Sequence, residues 1–169
     1  MELEQVADFR DSLDRYGFNY FIYGGWALDI INGDRTRSHT DVDIVLWEKQ
    51  RDIFKQFLER QRCTIWEEGP KIVFGNEFVN GEAVFMKEDG GDCVLEGKFF
   101  KARMPANLLI PFSKARIKNE EFSIGSMELI VKMAQNFSRY PQDKQLANIM
   151  ARECDKKIMD RIELERKRK

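Results

Sequence analysis

The sequence predicts an α/β (α+β) fold, in which a small mixed β-sheet is flanked by helices and followed by a short helical C-terminal part. Two observations predict it. Short aromatic or β-branched runs alternate with amphipathic helical segments along most of the chain, and the pattern becomes helical after Phe122. We therefore expect one domain at residues 1–120 and a helical extension at residues 121–169.

The N-terminal elements follow from periodicity and from glycine positions. Apolar residues at steps of three and four predict an amphipathic helix, namely Leu3, Val6, Phe9 and Leu13. The aromatic and β-branched run at residues 20–23 predicts a strand. Gly24 and Gly25 interrupt it, and a short helix is expected at residues 26–31. A polar loop then leads to a strong strand candidate at residues 41–47.

The remaining elements are predicted in the same way. Residues 48–60 favour a helix with one apolar face, formed by Ile53, Phe54, Phe57 and Leu58. Residues 64–94 are strand-like, with the better strands at 71–74 and 82–87 and a turn at 88–92. Ser126 is placed to cap a helix at residues 127–137, and a further helix is expected at residues 142–157.

Composition excludes several classes of protein. The formal net charge is -1, from 28 basic and 29 acidic residues, which argues against a nucleic-acid-coating protein. The three cysteines form no CxxC pair, so neither a zinc site nor a disulfide framework is indicated. The polar N-terminus is unlike a signal peptide, and no apolar run is long enough to span a membrane. We expect a cytoplasmic protein without a membrane or nucleic-acid partner.

Asp41 and Asp43 are the strongest candidates for chemistry. Residues two apart on a strand project to the same face, so these carboxylates are expected to stand side by side while Val42 and Ile44 face the core. Two adjacent negative charges repel each other and need a neutralising partner. A hard divalent cation such as Mg²⁺, shared with substrate phosphates, is the natural one, and two such ions would serve a phosphoryl transfer.

The Gly24-Gly25 turn predicts a phosphate site beside these aspartates. A strand that ends in two glycines and opens a helix brings bare backbone N–H groups and the helix dipole close to a ligand. Arg35, Arg37 and His39 lie between the glycines and the aspartates, where they could meet triphosphate oxygens. A purely structural role for His39 is equally consistent with the sequence, so both interpretations stay open.

The combined pattern GGWALD, then G, then TRSHTDVDI, resembles the DNA polymerase β-like nucleotidyltransferases. Within that superfamily it is most similar to the aminoglycoside 2″-adenylyltransferases and the small lincosamide nucleotidyltransferases. The resemblance implies that residues 1–120 form the catalytic domain. It further implies that Gly24, Gly25, Arg37 and His39 bind the nucleotide, and that Asp41 and Asp43 are catalytic and hold magnesium.

The resemblance also implies a third carboxylate on a later strand, as metal ligand or general base. Glu82 is our choice because it begins a strand after Gly81, with Glu77 and Glu88 as alternatives. The Asp-His-Pro sequence of the smallest family members is absent here. Lys132 is a further nucleotide-binding candidate, and Arg139 with Asp143 is similar to an Arg–Asp pair in the family's helical end.

The sequence therefore predicts a magnesium-dependent enzyme that transfers a nucleoside monophosphate from an NTP, with ATP preferred, to a hydroxyl of a small acceptor. An aminoglycoside or a lincosamide is the expected acceptor, and pyrophosphate would leave. Two alternatives stay open: nucleotidylation of a protein or RNA, and a non-catalytic nucleotide-binding module. The sequence also leaves open whether the chain forms a homodimer.

Overall fold

The computed structural model describes residues 1–167, and the last two residues of the predicted C-terminal part, Arg168 and Lys169, lie outside the described residues. Seven helices are present in the described part of the chain: α1 Leu3–Arg15, α2 Gly24–Asn32, α3 Arg51–Arg60, α4 Ala106–Leu109, α5 Met127–Phe137, α6 Pro141–Met150 and α7 Lys156–Arg161. A 3₁₀ turn at Glu48–Gln50 leads directly into α3.

Ten strands form one mixed sheet within residues 1–167, which confirms the predicted fold class. They are β1 Tyr20–Tyr23, β2 Val42–Trp47, β3 Thr64–Glu68, β4 Lys71–Gly75, β5 Asn80–Asp89, β6 Asp92–Glu96, β7 Phe100–Pro105, β8 Ser113–Ile117, β9 Glu120–Ile124 and β10 Glu163–Arg166. The main order is β10-β7-β6-β5-β2-β1-β9-β8. The β1–β9 and β2–β5 pairs are parallel, and all the other described pairs are antiparallel.

The long strand β5 organises the sheet. One edge of β5 pairs with β2 from Gly81 to Met86. Its other edge is divided, since the first half pairs with β4 and the second half pairs with β6. Gly81 permits the close approach to β2, because a Cβ at this position would lie 2.4 Å from the carbonyl oxygen of Val42. The two parallel strands that carry the predicted carboxylates are thus direct neighbours.

Helices α1 and α3 cover the sheet with aromatic side chains. The predicted apolar stripe of α1 is buried. Rings from the two helices, from β4 and from the loop before β1 contact one another, namely Phe9, Phe54, Phe57, Phe74 and Phe18. The prediction for Ile53 is wrong, since its side chain is 59% exposed. The core stripe of α3 is narrow, and Phe54, Phe57 and Leu58 fill it without Ile53.

The C-terminal part of the chain combines helices with two strands of the sheet. The predicted boundary at residue 120 falls at the β8–β9 hairpin, and β9 pairs in parallel with β1. The charged segment after α7 forms β10, which pairs with β7. No helix within residues 1–167 has both the length and the apolar character that crossing a bilayer requires.

Candidate active site

Three predicted carboxylates meet at one end of the central strands. Asp43 lies in register with Glu82 on β5 and with Tyr23 on β1, so these three side chains share a face of the sheet. Asp41 immediately precedes β2, two residues before Asp43, and therefore belongs to the same face. We call Asp41, Asp43 and Glu82 the carboxylate trio.

The trio is an electrostatically strained arrangement. Burial raises the pKa of Asp43 well above its ordinary value, and the negative charges of Asp41 and Glu82 raise it further, while Lys71 and Arg37 partly offset them. Burial and the same three carboxylates also raise the pKa of the Tyr23 phenol, which favours its neutral form. The site therefore has an excess of negative charge that a bound cation would relieve.

Of the three candidates for the third carboxylate, the structure brings only Glu82 beside Asp43. Glu77 is exposed in the turn between β4 and β5. Glu88 is exposed on β5 six residues beyond Glu82, a distance of about 20 Å along a strand. The β2–β5 register determines which glutamate lies beside Asp43, and that register cannot be read from the sequence of β5 alone.

Gly24 is required by the contact between β2 and the beginning of α2. Its φ is +70°, and a Cβ at this position would lie 2.1 Å from Oδ2 of Asp43. The Asp43 carboxylate therefore lies directly against the first turn of α2, where unpaired N–H groups and the helix dipole favour negative charge. The candidate metal ligand, Asp43, and the candidate phosphate site, the first turn of α2, are thus adjacent.

Gly25 is equally confined, by the loop that joins α2 to β2. A Cβ at Gly25 would lie 2.3 Å from Nη2 of Arg37 and 2.8–2.9 Å from Cε1 and Nδ1 of His39. Both predicted nucleotide-binding side chains therefore face the Gly-Gly turn. Arg35 is turned away from this turn: it pairs with Glu2 at 2.6 Å and donates from Nε to the carbonyl oxygen of Arg37.

His39 belongs to a buried polar group that sequence reasoning missed. Its Nε2 lies 2.6 Å from Oδ2 of Asp29, and Oδ1 of Asp29 accepts a hydrogen bond from Thr36 Oγ1 at 2.6 Å. The ring stacks on Trp26, with 4.5 Å between centroids. Because a carboxylate accepts hydrogen bonds, Nε2 carries the hydrogen and the Nδ1 edge is left toward Gly25. The sequence feature that could have indicated this group is Asp29, a lone acidic residue inside the apolar helix GGWALDII.

Arg37 forms a buried ion pair with Asp143 on α6. Its Nε and Nη2 donate to the two carboxylate oxygens at 2.7 and 2.9 Å, and its guanidinium lies 3.9 Å from the centre of the Tyr140 ring. Burial opposes the charge, but the bonds to Asp143 outweigh it, and the pKa of Arg37 lies above its ordinary value. The expected pairing of Asp143 with Arg139 is wrong, since the ion pair of Asp143 is with Arg37.

Lys132 has a different environment from the one predicted. Its ammonium group donates to the carbonyl oxygens of Met159 and Ile162, both at 2.6 Å, near the end of α7. These bonds satisfy carbonyl groups at a helix C-terminus and attach α7 to α5. This role explains Lys132 without a nucleotide.

A cavity of about 340 Å³ lies away from the trio. It is lined by residues that include Tyr20, Phe112 and Lys114. Tyr20 begins β1 and Tyr23 ends it beside Asp43, so this cavity lies toward the opposite end of the strand. It takes no part in the site.

Comparison with known proteins agrees with this geometry. The family model of aminoglycoside-2″-adenylyltransferases matches residues 5–86, a range that contains Gly24, Gly25 and the whole trio. This chain resembles the antibiotic nucleotidyltransferases. No curated protein sequence matches it, so the remaining evidence for this resemblance comes from solved structures.

The lincosamide antibiotic adenylyltransferase LnuA, solved with lincomycin bound, has a TM-score of 0.71 at 17% identity, over 88% of this chain and 97% of that one. ANT(2″)-Ia in complex with adenylyl-2″-tobramycin has a TM-score of 0.67 at 16% identity, over 93% of each chain. A solution structure of ANT(2″)-Ia gives 0.68 at 15% identity, over 93% of this chain and 87% of that one. At these identities the likeness shows the fold alone, which is that of a nucleotidyltransferase.

The nucleotidyltransferase fold implies magnesium, and the chain offers a partial set of candidate ligands for it. Within residues 1–167, no group of three or more His, Cys, Asp or Glu side chains is arranged as a complete metal site. Glu82, the third carboxylate, accepts a hydrogen bond from Lys71 Nζ to its Oε1 at 2.6 Å. Asp41 and Asp43 provide oxygen ligands only, which suits Mg²⁺ bound jointly by one or two carboxylates and substrate phosphates.

Proposed function

We propose that this chain transfers a nucleoside monophosphate from an NTP, with ATP as donor, to a hydroxyl group of an aminoglycoside or lincosamide antibiotic, releasing pyrophosphate. The observation that carries the proposal is the contact between Asp43 and Gly24. This contact places a half-buried carboxylate, a candidate Mg²⁺ ligand, against a helix N-terminus, a candidate triphosphate site. The resemblance to LnuA and ANT(2″)-Ia supports an antibiotic as acceptor.

In this proposal Asp41 and Asp43 hold magnesium together with the triphosphate. The ions, up to two of them, would supply Lewis-acid stabilisation of the charge on the phosphoryl group and on the leaving oxygen. The N–H groups of the first turn of α2 bind phosphate oxygens, and the missing Cβ atoms of Gly24 and Gly25 let Asp43, Arg37 and His39 lie against this turn. Two N–H hydrogens of Arg37, one on each terminal nitrogen, are not used by Asp143 or Ser38 and can meet the triphosphate.

Glu82 is proposed as the general base. The acceptor oxygen attacks the α-phosphorus, the bond from that phosphorus to the bridging oxygen breaks, and pyrophosphate leaves. Glu82 accepts the proton of the attacking hydroxyl. Its side chain is about one-third exposed, so an acceptor can reach it from solvent.

The first test measures pyrophosphate release with Mg²⁺, each of the four ribonucleoside triphosphates, and a panel of aminoglycosides and lincosamides. We expect release that needs one class of acceptor and is lost in Asp41→Asn and Asp43→Asn. Asp52→Asn is the matched control, because Asp52 is an exposed aspartate on α3 away from the trio. Nucleotide binding without release for any acceptor would contradict the proposal and favour a non-catalytic module, whereas label on a protein or RNA would favour a macromolecular acceptor.

A further inference from the structure

Lys71 is a nearly buried lysine that the proposed chemistry does not yet use. It is the first residue of β4 and is only 9% exposed, an unusual position for an ammonium group. In the β4–β5 ladder Lys71 is opposite Val84 and Val73 is opposite Glu82, so Lys71 and Glu82 are diagonal neighbours on one face. The same face carries Asp43, through the β2–β5 register.

The Lys71 ammonium has one close partner and one distant partner. Its Nζ lies 2.6 Å from Oε1 of Glu82 and 3.6 Å from Oε2 of Glu68. Glu68 has a further partner, Lys98, at 3.3 Å. Lys71 is therefore committed chiefly to Glu82, and it inserts one positive charge beside the three negative charges of the trio.

We infer that Lys71 is a positioning residue that holds the Glu82 carboxylate away from the metal-binding pair Asp41 and Asp43, so that Glu82 is kept for the acceptor hydroxyl. This inference rests on the proposed function and assigns a specific task to Glu82. A carboxylate in register with Asp43 would otherwise become a third ligand to the same cation. A charge-assisted bond of 2.6 Å to a side chain fixed on the neighbouring strand prevents this.

The first readout is a double-mutant cycle on turnover. Lys71→Met keeps a similar length and apolar stem but removes the charge. We expect it to lower kcat roughly tenfold, a part of the 10²-fold or more that general base catalysis contributes. KM for the nucleotide should change by less than about twofold, because the triphosphate contacts are elsewhere. In a Glu82→Gln background the same change should have no further effect, and Lys71→Arg should restore most of the activity.

The second readout does not depend on activity. Mn²⁺ affinity, measured by calorimetry or by electron paramagnetic resonance, should rise roughly tenfold in Lys71→Met, because the released Glu82 joins the two aspartates. The gain should disappear in Lys71→Met/Glu82→Gln. Lys55→Met is the matched control, since it removes a 2.6 Å ion pair with Glu67 that is exposed and distant from the trio, and neither readout should change.

The outcomes separate this inference from the proposed function. A wild-type protein that releases no pyrophosphate with any acceptor contradicts the proposed function, while the Mn²⁺ cycle still reports on Lys71. The inference would be overturned if Lys71→Met and Glu82→Gln lowered kcat independently, so that their effects multiplied in the double variant. Unchanged Mn²⁺ affinity in Lys71→Met would also overturn it. A wild-type protein that binds no Mn²⁺ overturns it as well, because Glu82 then has no metal to be kept from.

Discussion

The guanidinium of Arg37 and the carboxylate of Asp143 form a two-pronged, buried ion pair between residues that are 106 positions apart in the chain. The pair joins the loop before β2 to helix α6. Ser138 also donates to Asp143, and Tyr140 lies under the guanidinium, so the arginine is held in one orientation. The C-terminal helices thereby contribute to the shape of the predicted triphosphate site, although the matched family region ends at residue 86.

Asp143→Ala should destabilise the fold by about 3–5 kcal/mol, because it leaves the Arg37 charge buried without a partner. Urea unfolding measures the effect, and Arg37→Met combined with Asp143→Ala should recover part of it. Arg116→Met is the control, since its pair with Glu121 is largely exposed, and it should leave the unfolding midpoint almost unchanged. An equal loss of unfolding free energy in Asp143→Ala and in Arg116→Met would refute the structural role of the Arg37–Asp143 pair.

Gly24→Ala should abolish nucleotide binding and should also lower stability, by about 1–3 kcal/mol from the unfavourable φ alone. The added methyl group collides with the Asp43 carboxylate and displaces it from the helix N-terminus. Gly33→Ala is the matched control: its φ is +78°, but nothing lies within 4 Å of the added Cβ. It should share the backbone strain and keep the affinity for ATP, as measured by calorimetry. If both variants lost affinity alike, strain and not the Asp43 contact would explain the result.

Asp29→Ala should cost about 1–3 kcal/mol, chiefly because the buried donor on His39 loses its acceptor. The imidazole should also lose its fixed orientation beside Gly25, so that KM for the nucleotide rises more than kcat falls. Thr36→Val removes only one of the two bonds to Asp29 and should have the smaller effect on both quantities. An unchanged KM in Asp29→Ala would show that His39 has only a structural role.

Lys132→Met should lower stability by about 1–3 kcal/mol, since the carbonyl oxygens of Met159 and Ile162 lose a shared charged donor. Thermal unfolding and nucleotide titration of the same sample would distinguish the two interpretations of this residue. We expect a lower Tm and an unchanged Kd for ATP. A large rise in Kd at unchanged stability would restore Lys132 as a nucleotide ligand.

Local sequence predicted the parts of the site that are close together in the chain. The Gly-Gly turn and the Asp-x-Asp strand lie within 20 residues of each other, and their chemistry follows from residue type and strand period. Glu82 needed the β2–β5 register to be distinguished from Glu77 and Glu88.

The partners of the site residues were harder to predict. Lys71 reaches Glu82 across a strand ladder, and Asp143 reaches Arg37 from a distant helix. Nothing in the sequence near either residue identifies such a contact, because long-range pairs depend on the assembled sheet and helices. The strand at Glu163–Arg166 was missed for the same reason, since its charged sequence becomes a strand only by pairing with β7.

In the proposed function, Asp41 and Asp43 support transfer of a nucleoside monophosphate to an antibiotic. The most direct measurement follows a label on the α-phosphate of ATP after incubation with Mg²⁺ and the acceptor panel, with products identified by mass spectrometry. We expect label on an aminoglycoside or lincosamide hydroxyl with the wild-type protein and with Asp52→Asn, and none with Asp43→Asn or after chelation of the metal. Label transfer that persists in Asp43→Asn, or no labelled antibiotic from a wild-type protein that binds ATP, would contradict it.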